Sequence, residues 1–177
     1  ARKSDLRLEK VHLGEILGKA FEIFSQQLRL RGIEVLWDLE PDIPRILADP
    51  GRLEQVFINL LLNARDAIEE KWEGQDAAPG SKTITLKTRY DGHQVICEVR
   101  DTGKGIPPVL AEKIFEPFFT TKEVGKGTGL GLSISYGIIQ ECGGTIRLHH
   151  DSARGACFVL EFPATGRPHE TEDSHRR

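Results

Sequence analysis

An α+β fold, with about three helices layered on one face of a mixed, mostly antiparallel sheet, is what this sequence predicts. Three observations carry that prediction. Apolar residues recur with helical spacing over residues 49–71, strand-like alternation runs through residues 83–101 around an Asp91-Gly92 turn, and a second hairpin pattern spans residues 145–162. Helices and hairpins in this mixture bury their apolar faces in two layers.

In chain order, a first helix is expected over residues 13–29, then a strand at 33–39 and a short strand near 45–47. The next helix begins at Asp49, whose side chain can cap it, with Pro50 at the first helical position. Leu53, Val56, Phe57, Leu60, Leu61, Ala64 and Ile68 form its apolar stripe. Gly, Asp, Pro and Ser make residues 74–81 a loop. The hairpin 83–101 follows, and alternation puts Val95, Cys97, Val99 and Asp101 on one of its faces. A glycine-bounded segment then leads to a helix over 130–141 and the closing hairpin. Residues 164–177, rich in charge, Pro and Gly, are expected to be disordered.

Four local patterns invite chemistry. Gly125-Lys-Gly-Thr-Gly-Leu-Gly131 opens a helix, and helix starts with little side-chain cover present N–H donors and a positive dipole end to phosphates; a flexible connector is the other reading. Asn59, Asn63 and Asp66 project as one polar stripe from a helix in which such residues are poor formers, which suits either a ligand or a solvated face. Asp101, on an apolar strand face, needs a donor. An adenine amino group would serve, and so would a local Asp-Thr-Gly turn. Phe115, Phe118 and Phe119 sit in a segment long enough to be functional; they fit lid anchors or core packing equally.

Taken in order, Asn59-x-x-x-Asn63, Asp101-x-Gly103-x-Gly105, Phe115-x-Pro117-Phe118-Phe119 and Gly127-x-Gly129-x-Gly131 resemble the N, G1, F and G2 boxes of the ATP-binding catalytic domain of sensor histidine kinases. The resemblance runs from about residue 11 to 163. The runs Asn63-Ala-Arg-Asp-Ala67 and Phe118-Phe-Thr-Thr-Lys122 look most like the subgroup of nitrogen-regulation and metal-responsive kinases. The wider superfamily includes gyrase-type, chaperone and mismatch-repair ATPases.

The resemblance implies a Bergerat-type two-layer fold, ATP and Mg2+ as cofactors, and a set of site residues. Asn63 matches the magnesium ligand and Asn59 its polar neighbour. Asp101 matches the aspartate that receives the adenine amino group, with Gly103, Gly105 and Ile106 on the base side. Residues 103–128 would be a lid, with Gly127, Thr128, Gly129, Leu130 and Gly131 closing on the phosphates and Lys122 supplying charge. Asp66 departs from the pattern, because many relatives carry a phosphate-facing lysine there; Arg65, Lys122 or Lys126 would then take its place. The family's water-splitting ATPases carry a glutamate where this chain has Asn59, and an amide cannot take a proton from water. The bound ATP is therefore expected to serve phosphoryl transfer, with Asn59, Asn63 and Lys122 the catalytic candidates. An ATP-hydrolysing clamp and a nucleotide-sensing module are the competing readings.

The implied acceptor is a histidine on a helical dimerisation domain of the same kinase, which hands the phosphoryl group to a response regulator receiver domain. None of the six histidines fits that role. Residues 1–12 look like the linker from such a domain, and the start at Ala1 and lack of methionine read as an excised fragment. A net charge of −3 gives no reason to expect nucleic-acid binding. Cys97, Cys142 and Cys157 lack metal-ligand spacing and read as reduced thiols. No apolar run approaches membrane-spanning length, so the expectation is a cytoplasmic domain without membrane contact, whatever anchors the parent.

Overall fold

The computed structural model describes residues 6–120, 131–149 and 155–165. The elements are β1 (Glu9–Val11), α1 (Leu13–Leu30), β2 (Glu34–Leu39), β3 (Ile46–Ala48), α2 (Pro50–Lys71), β4 (Thr83–Tyr90), β5 (Gln94–Asp101), α3 (Gly131–Glu141), β6 (Thr145–Leu148) and β7 (Cys157–Pro163). Two 3-10 turns, Pro108–Leu110 and Lys113–Phe115, lie between β5 and α3.

The main sheet has the order β2-β4-β5-β7-β6. Only β2 and β4 run parallel; the other neighbours are antiparallel. In the β4–β5 ladder Ile84 faces Asp101, Leu86 faces Val99 and Thr88 faces Cys97, so one pleated face collects the apolar side chains. Val95, Cys97, Val99 and Asp101 are all buried on that face, as the alternation predicts. All three helices pack against it, through residues such as Leu17 and Ala20 of α1, Phe57 and Leu60 of α2, and Ile139 of α3. The outer face keeps a small apolar cluster of Ile96, Cys157 and Val159. All three cysteines are free thiols, and burial pushes that of Cys97 far up.

Helix α2 starts where the sequence says it should. Asp49 Oδ1 accepts from the N–H groups of Gly51 (3.1 Å) and Arg52 (3.4 Å), and Pro50 occupies a position whose N–H would have had no helical partner. Seven apolar residues of the predicted stripe are buried. Residues 72–82 form turns and bends, as their composition requires.

Three local features differ from the sequence expectations. Glu9–Val11 forms a strand paired antiparallel with β3, which the polar run Glu9-Lys10 gives no reason to expect. Its inner residue, Val11, joins the core. At the other end, Ala164 bridges to Ile46 and both the N–H and hydroxyl of Thr165 donate to the Arg45 carbonyl, so order continues two residues past the expected boundary at 164. The rest of the expected disordered tail, 166–177, lies outside the described residues. Finally, two 3-10 turns, Pro108–Leu110 and Lys113–Phe115, stand in a segment that the sequence marks only as glycine-bounded. No described helix is long and apolar enough to cross a membrane.

Candidate functional site

Between α2, the end of β5 and the start of α3 lies a cavity of about 280 Å³. Its walls show how a linear pattern becomes a site. Asn59, Asn63 and Asp66 reach it from successive turns of α2, Asp101 from the end of β5, Gly105 and Ile106 from the following turn, and Gly131 from the first turn of α3.

Asp101 sits at the buried end, 4% exposed. Its Oδ1 accepts from the N–H of Gly103 (2.8 Å) and from that of Ala156 (3.3 Å). The first bond is the local turn that sequence reasoning held as one of two readings. Both bonds fall on a single oxygen, so the turn and a ligand contact do not compete for the same atom. Burial raises the Asp101 pKa to about 6, against the pull of the two N–H groups and the Lys71 ammonium.

Close packing holds this carboxylate in place. A Cβ at Gly103 would lie 2.6 Å from the carbonyl carbon and Cβ of Ala67, so α2 and the turn touch backbone to backbone. Gly103 consequently acts as a spacer and is not among the residues lining the cavity, unlike the other expected site residues within the described region. Gly155, at φ +94°, is tighter still, with a hypothetical Cβ 1.9 Å from the Asp101 carbonyl oxygen.

On the α2 side, the Asn59 amide Nδ2 donates to the Gly131 carbonyl and the Ser135 hydroxyl, both at 3.4 Å. Because a carbonyl can only accept, this fixes which end of the amide faces α3 and leaves Oδ1 turned away from it. Asn63 lines the cavity one turn along. Asp66 is engaged by its neighbour: Arg65 donates to Asp66 Oδ1 through Nε (3.1 Å) and Nη2 (3.0 Å), and through Nη1 to Gln27 Oε1 (3.1 Å). Arg65, one of the three residues expected to take the place of the missing lysine, is thus at the cavity wall but tied to a carboxylate. Lys104, also at the wall, pairs with Glu70.

The three phenylalanines divide between their two readings. Phe115 packs on Tyr136 (ring centroids 5.5 Å apart) and edge-on to Phe158 (6.3 Å). Phe119 is half-buried and lines the cavity, while Phe118 is 74% exposed with φ +65°. Lys122, Lys126, Gly127, Thr128, Gly129 and Leu130 lie outside the described residues.

Ala67, Lys71, Lys104, Ser135, Gly155 and Ala156 escaped sequence reasoning. Only Gly155 left a signal, as a turn glycine between strands; the others become neighbours of the site through tertiary packing alone.

Known proteins resemble this chain in sequence and fold. Residues 48–166 match the family model of the histidine kinase-, DNA gyrase B- and HSP90-like ATPases. The chain is 41% identical over 169 residues to the sensor kinase CckA of Brucella abortus, covering 92% of this chain and 18% of that protein. It is 37% identical over 167 residues to the sensor histidine kinase ZraS of Salmonella typhi, covering 94% and 33%. The chain therefore spans a third or less of the length of these curated relatives. The nucleotide-free catalytic domain of the histidine kinase ThkA superposes with a TM-score of 0.75 at 32% identity, covering 90% of this chain and 97% of that one. Full-length ShkA in complex with AMPPNP gives 0.76 at 32% identity, covering 95% and 34%. ThkA in complex with the response regulator TrrA gives 0.71 at 30%, covering 94% and 44%. With the family model matched over more than half its length and an isolated kinase catalytic domain matched almost end to end, the chain belongs to the histidine kinase-, DNA gyrase B- and HSP90-like ATPases, as a histidine kinase catalytic domain.

Proposed function

We propose that this domain binds Mg-ATP in the cavity between α2 and α3 and donates the γ-phosphoryl group to a histidine on a separate helical dimerisation domain of its kinase, from which a response regulator receives it. One observation carries the reading. A buried carboxylate, Asp101, closes the apolar end of a cavity whose other wall is the amide stripe of Asn59 and Asn63.

Each end has its own task. Asp101 Oδ2, which takes neither of the two backbone bonds, accepts the adenine amino group, and Ile106 covers the base. The amide oxygens of Asn59 and Asn63 are hard donors of the kind Mg2+ prefers, and Mg2+ fills most of its octahedron from phosphates and water. When bound, Mg2+ neutralises phosphate charge. The first N–H groups of α3 face the phosphate end with the positive end of the helix dipole. Lys122 and residues 127–130 complete the phosphate side in this reading, with 103–128 as the lid.

Phosphoryl transfer asks mostly for positioning and charge stabilisation. Asn59 has no basicity with which to activate water, and its Nδ2 is already bonded to α3. These features favour a stored, transferable phosphate over hydrolysis. The complexes formed by similar kinases, ShkA with a nucleotide analogue and ThkA with a response regulator, support the same pathway.

The test mixes the domain with γ-labelled ATP, Mg2+ and the helical histidine-bearing module of the full-length kinase. The expected product is an acid-labile phosphohistidine on the helical module. Label released only as inorganic phosphate, at a rate indifferent to that module, would overturn the proposal in favour of a clamp ATPase.

A further inference from the structure

Lys71, the last residue of α2, reaches beyond its own helix to the turn after β5. Its Nζ donates to the Thr102 carbonyl at 3.2 Å and stands 5.6 Å from the centroid of the Trp72 ring, so the side chain is held at both the turn and an aromatic face. Thr102 is in turn fixed by three contacts: its hydroxyl donates to Ser81 O (2.6 Å) and accepts from the Thr83 N–H (2.9 Å), and its own N–H donates to Thr83 O (3.1 Å). Thr102 lies between Asp101 and Gly103. The ammonium therefore grips the middle of the turn that presents the buried carboxylate.

We propose that Lys71 is a positioning residue for nucleotide recognition: bonded to the Thr102 carbonyl, its ammonium holds the Asp101–Gly103 turn and places a positive charge at the residue next to Asp101. The proposal rests on the adenine role given to Asp101 above. The surroundings favour Lys71 for this task. From α2, Glu70 is paired with Lys104 of the turn, so those charges offset each other. From β4, β7 and the residue before it the neighbours are Thr83, Ile84, Phe158 and Ala156, none of which titrates, and Arg65 and Asp66 at the α2 wall are paired with each other. Two N–H groups and one ammonium thus work against the cost of burying this charge, and Lys71 is the contribution that a side-chain substitution can remove.

The decisive measurement follows the side-chain carboxyl carbon of Asp101 by NMR across pH in nucleotide-free protein, for wild type, Lys71→Met, Lys71→Gln and Lys71→Arg. The midpoint should rise by about 0.5–1 pH in Lys71→Met and Lys71→Gln and return towards wild type in Lys71→Arg. ATP affinity should follow: the two neutral variants should bind more weakly at high pH because the turn is freed, and by a growing factor on acidification, because their fall sets in at higher pH than that of the wild type. Superposable carboxyl titrations would overturn the proposal. So would neutral variants that lose affinity by one constant factor at every pH, since that is what a merely structural tie predicts. If the wild-type protein takes up no ATP, the proposed function falls, while the carboxyl titration still decides whether Lys71 governs Asp101.

Discussion

Asp101 is costly to the fold in the form the site needs. An ordinary carboxyl titrates near 3.8, whereas burial holds this one at about 6, and the difference corresponds to about 3 kcal/mol of stability given up once the group is ionised. The sign follows from the raised value: its contribution to stability is greatest below about pH 4 and is lost as pH rises through about 6. Asp101→Asn should therefore melt higher than wild type at pH 7–8, by up to a few kcal/mol, with the difference vanishing below pH 4 in thermal melts of the free domain. The same variant should bind ATP at least tenfold more weakly at pH 7, and wild-type affinity should fall as pH drops through 6. Calorimetric titrations at pH 5 and 8 check both. Backbone crowding makes a second prediction at this scale. Gly155→Ala forces a side chain into a positive-φ position against the Asp101 carbonyl, and should cost at least about 2 kcal/mol in denaturant melts.

Among the elements, α2 does most to organise the site, since one helix supplies the apolar stripe, the amide stripe and the Ala67 surface on which the Gly103 turn rests. Its cap is separable from its chemistry. Asp49→Ala should lower stability by about 1 kcal/mol in urea melts and leave the nucleotide affinity of the folded protein unchanged. The segment between β5 and α3 has a fixed part and an exposed part. Phe115 is anchored on Tyr136 and Phe158, so Phe115→Ala should cost about 3 kcal/mol, whereas Phe118→Ala should stay within about 0.5 kcal/mol. Equal losses in the two variants would contradict this division.

For the whole molecule, ligand binding and folding are linked through the cavity, because α2, β5 and α3 each contribute to both. At a nucleotide concentration about 100 times Kd, binding should add about 2.7 kcal/mol, or roughly 5–10 °C in Tm for a domain of this size. With Asn63→Ala the shift measured in Mg2+ should shrink to that measured in EDTA; an undiminished magnesium effect would remove Asn63 from the metal's shell.

Most of the architecture was legible in the sequence because its signals are local. Periodicity and a capped start define α2 from residues 49–71, an Asp-Gly turn defines the β4–β5 hairpin, and four short motifs name the family and part of the cavity wall. Strand β1 was not legible, since Glu9-Lys10-Val11 has no pattern of its own and pairs only because β3 is brought beside it. Nor was the bond of Arg65 to Gln27, or the grip of Lys71 on Thr102, in which residues more than thirty positions apart in the chain meet. What the sequence by itself determined is the family, the elements of the fold and which of them bear the candidate site residues. Tertiary structure decided how strongly each is held and charged, because burial, backbone contact and ion pairing arise only when separate elements close on one another.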